Sequence, residues 1–374
     1  MVSIVCCVSF AQQTISTSIK DAMTGNPLIG VSVSTGKSFT TFSNSEGNVA
    51  LNLPSREMEM CFSAIGYATL RKRASQVSQE TMMAPLDLKQ KETSEHERDF
   101  IHASIVENLD EEYQYSKNKK ATFLVRSVVE KDGRCVIAER LERFICSSNL
   151  REEQFLEGYV YGDTEDIQLT NLLNDTLIKS FIEIAPRVYD NGFWASKLLP
   201  LGARTSVLVP NNYVRKNPGI GQIECFRGWK QNYILEFLHA DDASDNIGVV
   251  NFMPREGKHA ANVLTGTMYY GIQKYQLLGF KGCVSNVEWN VPDEGRVVIS
   301  PEISIIYSHQ RGFTEVIYVS ARIDIGNLHI LIQAYNLGKK RPLDWQKCVP
   351  RTAKEEGAVL RERVEDQPTL RECE

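Results

Sequence analysis

Apolar and polar residues alternate over short runs from about residue 14 to residue 88, a pattern that predicts half-buried strands. Clusters of Asp, Asn, Gly and Pro separate these runs, as in Asp21–Pro27 and Ser43–Asn48. Short strands at a spacing of about ten residues are typical of an all-β sandwich. The N-terminal part of the chain is therefore predicted to be a β-sandwich.

Beyond residue 119 the alternating runs become longer. Phe123–Val129 and Cys135–Ile145 flank Asp132-Gly133, a dipeptide that strongly favours a tight hairpin turn. At least six strands joined by turns predict one large, twisted antiparallel sheet. The later alternating runs are Tyr233–Phe237, Val249–Asn251, Met268–Ile272, Ile303–Tyr307, Ile317–Ile323 and Leu328–Ile332.

Two segments carry helical spacing instead. Ile101, Ile105 and Leu109 recur every four residues, and Asp99 is placed to cap the start of that helix. Ile167–Ile184 also has apolar residues at helical spacing. The fold class is therefore mainly β, with a few helices in the larger, second domain.

Composition and charge limit the function classes. The chain has 374 residues, of which 42% are hydrophobic, and a net charge of -5 that is not concentrated in a basic domain. This excludes a disordered or collagen-like chain and argues against nucleic-acid binding. The expected division is a truncated signal peptide, a sandwich, a charged linker with a short helix, an antiparallel β domain and a charged tail, at residues 1–11, 12–88, 89–118, 119–348 and 349–374.

The N-terminus resembles a secretion signal. Ile4–Phe10 is a short apolar run, and Ser9 with Ala11 gives the small-x-small pattern that precedes cleavage. The usual basic segment is missing, because Val2 follows the first residue directly, and an ordinary first strand remains the alternative. We expect a protein of the periplasm or associated with the outer membrane, with no transmembrane helix, since no apolar run is long enough.

The first 75 or so residues resemble a known family. They are similar to the carboxypeptidase-regulatory-like domain, which implies a seven-stranded, transthyretin-like sandwich and an N-terminal module of Gram-negative envelope proteins. Three positions depart from the family pattern, namely Thr17, Asn44 and Val49, where Gly, Asp and an aromatic residue are usual. The residues that carry the resemblance are Asp21, Thr24-Gly25, Pro27-Leu28, Gly30-Val31, Val33, Gly47, Leu51 and Ser63-x-Ile65-Gly66-Tyr67.

The second domain has a weaker resemblance. Leu264–Tyr270 is similar to a strand that begins with a Gly-x-x-Tyr element in envelope proteins with the same domain order. Arg126 is the one matching residue of a Phe-Tyr-Arg-Glu motif near the domain start, with Glu139 downstream. This implies the open half-barrel of lipoprotein carriers such as LolA; a closed sandwich or roll is the alternative.

No catalytic or metal-binding pattern is found. The six histidines lack the His-x-x-Glu spacing of zinc carboxypeptidases, and the chain has neither a nucleophile elbow nor a phosphate-binding loop. Asp241, Asp242, Asp245 and Asn246 are read as a solvated loop in preference to a calcium site. We therefore predict no enzymatic activity, no cofactor and no metal, with a hydrolase of unrecognised site as the last alternative.

Six aromatic residues are the candidates for ligand binding, and the alternative is that they fill the core of the sheet. The expected function is non-enzymatic binding or scaffolding in the envelope, with a protein, glycan or lipid as partner. The alternative is a periplasmic carrier that shelters an acyl chain or lipid. The candidate residues are Trp229, Tyr233, Phe237, Tyr269, Tyr270 and Trp289.

Overall fold

A computed structural model of the chain is mostly β, as the sequence pattern predicts. The predicted signal peptide, the predicted helix at Ile167–Ile184 and Trp229 lie outside the residues that it describes. It describes residues 13–36, 39–90, 92–115, 119–132, 134–146, 151–162, 233–240, 246–255, 263–285, 287–291, 295–310, 313–338, 345–352 and 359–364.

The chain divides into two compact units. The first comprises the residues up to Leu86 together with Gln346–Thr352, and the second comprises Asp87–Trp345 and the residues from Ala353 onward. In the first unit, Thr41 Oγ1 donates a hydrogen bond of 2.7 Å to the carbonyl oxygen of Cys348. A segment from near the C-terminal end of the chain is thus part of the N-terminal unit.

Seven strands build the first unit, in two sheets of order β4-β1-β7 and β3-β2-β5-β6. Strand β1 pairs antiparallel with β4 and parallel with β7. The predicted seven-stranded sandwich is confirmed within the described residues. The strands are β1 (Gln13–Asp21), β2 (Ser32–Thr35), β3 (Phe39–Phe42), β4 (Asn48–Leu53), β5 (Glu59–Ser63), β6 (Leu70–Arg73) and β7 (Glu80–Met83).

The core of the first unit follows from the alternation that the sequence shows. Side chains two residues apart on a strand point to the same face, so the apolar set of each strand is buried together. Each fully buried large apolar side chain contributes about 1.5–3 kcal/mol relative to its exposed state. The core consists of Ile15, Ile19, Val31, Val33, Val49, Leu51, Leu53, Met60, Phe62, Ala74 and Met83.

The second unit contains one long helix and the remaining described strands. They are β8 (Leu88–Gln90), α1 (Glu95–Tyr115), β9 (Lys119–Lys131), β10 (Arg134–Cys146), β11 (Arg151–Gly162), β12 (Tyr233–Ala240), β13 (Ile247–Pro254), β14 (Val263–Gly271), β15 (Leu277–Ser285), β16 (Val287–Val291), β17 (Gly295–Ile299), β18 (Glu302–Gln310), β19 (Phe313–Ile325), β20 (Leu328–Gly338) and β21 (Val359–Val364).

Twelve of these strands form one antiparallel sheet of order β21-β11-β10-β9-β20-β19-β18-β15-β14-β13-β12-β8. Strands β16 and β17 form a separate hairpin. Directly paired residues share a face, and one row of them is buried across eight strands. That row consists of Phe237, Val250, Met268, Phe280, Ile305, Val319, Ala334 and Val125.

The start of α1 differs from the prediction. Ser94 is the N-terminal cap, because its Oγ accepts a hydrogen bond of 3.2 Å from the backbone N–H of Glu97. Asp99, the predicted cap, lies inside the first turns of the helix. The Ser-x-x-Glu spacing from Ser94 to Glu97 is the pattern of a capping box, and it starts the helix earlier than Asp99 would. Ile101 and Ile105 are buried, as their spacing predicts.

The charged linker and the charged tail predicted from the sequence contain edge strands of the large sheet. Strand β8 begins at the last residue of the predicted sandwich, continues into the predicted linker and pairs with β12 over three residues, Leu238–Ala240. Strand β21 falls in the predicted tail and pairs with β11. Short strands with charged side chains are a common way to end a sheet. Their charge explains why the sequence pattern indicated a linker and a tail.

Candidate functional site

The aromatic candidates occupy both faces of the large sheet. Tyr233, Phe237 and Tyr270 share one face and are only 3%, 3% and 4% exposed. Tyr269 lies on the opposite face and is partly exposed, because neighbouring residues of a strand alternate. Trp289 lies in β16, and its side chain is outside the description. The structure thus brings three of the six candidates onto one buried face.

On this face the aromatic rings contact one another. The ring of Tyr233 meets that of Phe252 at a centroid distance of 6.1 Å, and Phe252 stacks on Phe280 at 5.8 Å. Gly282 leaves space for the Phe280 ring, since a Cβ atom on Gly282 would lie 2.7 Å from Cζ of Phe280. Such ring pairs add about 0.5–1.5 kcal/mol each beyond the burial of their area.

A second group of rings lies where the β14–β15 turn meets α1. Tyr270 lies across Gly248, where a Cβ atom would come within 2.4 Å of the phenol oxygen. Tyr275 stacks on Tyr270 at 6.1 Å, and Phe100 of α1 meets Tyr275 edge-on at 5.6 Å. Tyr275 has a φ of 52°, a left-handed conformation that is uncommon for an aromatic residue. The turn therefore holds the Tyr275 ring between the rings of Tyr270 and Phe100, although the backbone at Tyr275 is strained.

This group reaches the surface. Phe100 is 54% exposed and Ile272, in the same turn as Tyr275, is 40% exposed. We call Phe100, Ile272, Tyr275 and Tyr270 the aromatic ledge. Burial, Tyr275 and the Glu97 carboxylate raise the pKa of Tyr270 to about 12, in that order of importance. The ledge thus combines one exposed ring, that of Phe100, with the packed rings of Tyr275 and Tyr270.

Sequence reasoning placed only Tyr270 of the ledge among its candidates. One available signal was the position of Phe100, a large aromatic residue directly beside the buried Ile101 in a helix. An aromatic side chain that lies outside the apolar face of a helix does not pack into the core that this face contacts. No local pattern, in contrast, relates Phe100 to the distant β14–β15 turn.

The other face of the sheet contains a buried ion pair. Arg126 and Glu139 are each 1% exposed, and Nε and Nη2 of Arg126 lie 3.1 and 2.9 Å from Oε1 of Glu139. Gln333, which pairs directly with Arg126 on the neighbouring strand, donates a hydrogen bond of 3.1 Å to the buried Tyr318 hydroxyl. Burial raises the pKa of Tyr318. These contacts link neighbouring strands of the sheet.

Carboxylate and imidazole groups also meet at the β19–β20 hairpin. Nδ1 of His329 lies 2.6 Å from Asp324, and Nε of Arg322 donates to the same carboxylate at 2.9 Å. Desolvation raises the pKa of Asp324, but the hydrogen bonds from His329 and Arg322 outweigh it and lower the pKa overall. Across the part of the chain that is described, no three or more His, Cys, Asp or Glu side chains are grouped to hold a metal ion.

In the first unit, the residues that carry the family resemblance meet at one turn. Oδ1 of Asp21 accepts hydrogen bonds from the backbone N–H groups of Met23 and Thr24 at 2.7 and 3.0 Å. The Tyr67 hydroxyl donates to Oδ2 of Asp21 at 2.7 Å. The hydrogen bond from Tyr67, followed by those from the backbone, holds the pKa of Asp21 below its ordinary 3.8. These contacts fix the turn that follows β1.

We expect Tyr67→Phe to move the pKa of Asp21 upward toward 3.8, because it removes the largest cause of the lowered value. A carboxyl group with a lowered pKa stabilises the fold above its ordinary pKa, and this stability is lost as the pH falls through the folded value. The variant should therefore unfold at a higher pH on acidification. An NMR titration of the Asp21 carboxyl carbon measures the pKa, and an unchanged value would contradict the assignment.

Comparison with known families finds a match in the N-terminal part of the chain. Residues 15–97 match the CarboxypepD_reg-like domain, which confirms the resemblance predicted from the turn residues. No curated protein sequence matches the chain. Among the residues that the structure describes, none of the helices has the length and apolar character needed to cross a membrane.

Several solved structures resemble the chain at low identity. A DUF1329 family protein from Desulfovibrio piger is 9% identical, with a TM-score of 0.22 over 64% of this chain and 94% of that one. A LolA superfamily protein from Nitrosomonas europaea is also 9% identical, with a TM-score of 0.22 over 65% and 96%. A protein of unknown function from Bacteroides fragilis is 11% identical, with a TM-score of 0.16 over 87% and 95%. Likenesses with scores this low support no inference about the chain.

Proposed function

We propose, for a chain whose residues 15–97 match a CarboxypepD_reg-like domain, that it is a non-enzymatic binding protein of the cell envelope. The aromatic ledge is its contact surface. The observation that carries this proposal is the exposure of Phe100 and Ile272 beside rings that are held in place by packing. Exposed aromatic residues on a rigid support are the usual anchors of protein interfaces. The predicted location, periplasm or outer membrane, rests on the apolar N-terminal run and on the first unit.

The buried candidates have a supporting role in this proposal. Tyr270 is packed between Gly248 and Tyr275, so it fixes the orientation of the ring that Phe100 contacts. Tyr233 and Phe237 lie on the same buried face of the sheet. A partner therefore touches Phe100 and Ile272, and the rings beneath them keep the surface rigid.

Site-specific photo-crosslinking in the producing cell tests the contact surface. We expect a photoreactive phenylalanine analogue at position 100 to form an adduct with one protein, which mass spectrometry identifies. The purified partner should then bind the chain about tenfold less tightly when Ile272 is replaced by Glu, since a charge is placed at the apolar contact. Position 298 in β17 is the control, because Val298 is 55% exposed and lies outside the ledge. Equal adduct yields at both positions would overturn the proposal.

A second candidate function, a carrier of a hydrophobic ligand, is favoured by the buried apolar row that crosses eight strands of the sheet. A carrier needs part of this face to become accessible and receive an acyl chain. Native mass spectrometry of the protein purified from its own envelope distinguishes the two. A co-purifying lipid mass that persists in Phe100→Ala would support the carrier, and an unliganded mass would support the binding protein.

A further inference from the structure

The segment Gln346–Thr352 belongs to the first unit, although the residues on either side of it in the chain belong to the second. After a short 3-10 turn that ends at Lys347, residues 348–352 form neither a helix nor a strand. The backbone groups of such a segment need partners outside it. The carbonyl oxygen of Cys348 has such a partner in the Thr41 hydroxyl, at 2.7 Å. The segment is therefore held by contacts with the sandwich.

One apolar side chain anchors the segment. Val349 is fully buried, whereas Lys347, two residues earlier, is exposed. Pro350 follows the buried valine, and proline fixes its own φ at about -65°. A rigid residue reduces the conformational freedom that a segment loses when it binds. The segment thus resembles a short peptide ligand, with one buried side chain, one bonded carbonyl and a rigid residue beside them.

The hydrophobic core of the sandwich is built without this segment. The buried residues of that core all lie between Ile15 and Met83, and the partly buried apolar residues packed against them lie between Leu28 and Val77. The ladders of the two sheets likewise pair strands β1 to β7 with one another. The segment is therefore added to a sandwich whose core is already formed, as a bound peptide would be.

The segment contacts the edge of a sheet. Thr41 lies on β3, the outer strand of the four-stranded sheet, and it pairs directly with Val33, so the two side chains share the core-facing side. Edge strands of natural sheets are commonly covered by another part of the chain. Every peptide has backbone carbonyl groups, so the Thr41 hydroxyl does not by itself select a sequence. Selectivity comes from the buried position that Val349 fills.

We propose that the N-terminal sandwich is a recognition module for a short segment with a small apolar residue followed by proline, and that Gln346–Thr352 fills this site as an exchangeable internal ligand. The inference goes beyond the proposed function, because it concerns the first unit and does not involve the aromatic ledge. Strand β20 ends at Gly338 and β21 begins at Val359, so the segment is tethered at both ends. A short tether gives an effective concentration of about 1 mM, which keeps the site filled until a stronger competing segment arrives.

The test adds a peptide to the full chain and measures binding by fluorescence anisotropy. The labelled peptide has the sequence of residues 346–352, with serine in place of Cys348. Val349→Asp should displace the internal segment, because it places a charge at a buried position. We expect the peptide to bind this variant about tenfold more tightly than the parent, in which the internal segment competes. Val298→Asp, the same change at an exposed valine, should behave as the parent.

Further comparisons locate the contacts. In the Val349→Asp chain, Thr41→Val should weaken peptide binding about fivefold, because it removes the hydroxyl that donates to the backbone carbonyl. The control is Thr81→Val, since Thr81 is equally buried and its hydroxyl bonds to that of Thr17 at 3.0 Å. This control should leave binding unchanged. A second peptide with aspartate in place of Val349 should not bind.

Three results would overturn the inference. Equal affinity of the peptide for Val349→Asp and the parent would mean that it binds elsewhere, and no binding to either chain would mean that the segment is not exchangeable. The methyl NMR signals of Met60 and Met83 report on the core. Loss of their native positions in Val349→Asp would show that the segment is a structural part of the sandwich. Crosslinking at position 100 is independent of all three results, so the two proposals are tested separately.

Discussion

Replacement of Glu139 by alanine is expected to lower the free energy of unfolding of the second unit by about 3–5 kcal/mol. The guanidinium group of Arg126 is 1% exposed and bonds to Oε1 of Glu139 through two nitrogen atoms. Without the carboxylate, a buried positive charge loses the countercharge and acceptor that Glu139 supplies, at a position that is almost closed to water. Urea denaturation followed by circular dichroism measures the change.

An exposed ion pair provides the matched control. Nη1 of Arg71 lies 3.2 Å from Oε1 of Glu59, and both side chains are largely solvent-exposed. Glu59→Ala should therefore lower the free energy of unfolding by less than about 1 kcal/mol. If Glu139→Ala costs no more than Glu59→Ala, Arg126 is effectively solvated and the interpretation of the pair is wrong.

The double variant Arg126→Met with Glu139→Leu separates charge burial from loss of packing. It removes both charges and keeps most of the volume, so we expect a stability within about 1 kcal/mol of the parent. A double variant as unstable as Glu139→Ala would show that packing, and not the unpaired charge, determines the loss.

Gly47→Ala is the second large prediction, with an expected loss of about 2–5 kcal/mol in the first unit. Gly47 has a φ of 76°, and a Cβ atom there would lie 2.4 Å from the carbonyl oxygen of Ile19. This oxygen belongs to the backbone of a central strand, so the clash cannot be relieved by rotating a side chain. Thermal unfolding of the first unit measures the loss.

Gly25→Ala is the control for this substitution. Gly25 has nearly the same φ, 73°, but a Cβ atom there would meet no other atom within 4 Å. Gly25→Ala should therefore lower the free energy of unfolding only by the cost of placing an alanine in the left-handed conformation, about 1–2 kcal/mol. The difference between the two variants measures the steric clash alone, and equal losses would contradict the close approach at Gly47.

The ion pair shows what a turn signal can predict. The hairpin predicted around Asp132-Gly133 would place Lys131 opposite Arg134, and counting back along both strands brings Arg126 opposite Glu139, which is the pairing that the sheet has. Arg126 was identified from the sequence as the one matching residue of a motif, with Glu139 downstream, and neither residue was related to the hairpin. Their burial, however, depends on the sheet and its cover, which no local pattern specifies.

The aromatic ledge includes a contact that the sequence does not predict. The strands that contain Tyr233, Phe237 and Tyr270 follow from alternation, and their shared face follows from the sheet register. Phe100 and Tyr275 meet only because a helix and a remote turn pack together. Helical spacing located α1 correctly through Ile101 and Ile105, but it carries no information about which turn lies beside it.

The segment Gln346–Thr352 has a consequence for the order in which the protein is completed. Its Cys348 carbonyl accepts the hydrogen bond from Thr41, although 307 residues separate the two, and its Val349 is fully buried. At about 5–20 residues per second, ribosomes need roughly 15–60 s to synthesise that interval. The N-terminal sandwich therefore leaves the ribosome first but is among the last parts to be finished. Expression of residues 13–90 alone would yield a sandwich without this segment.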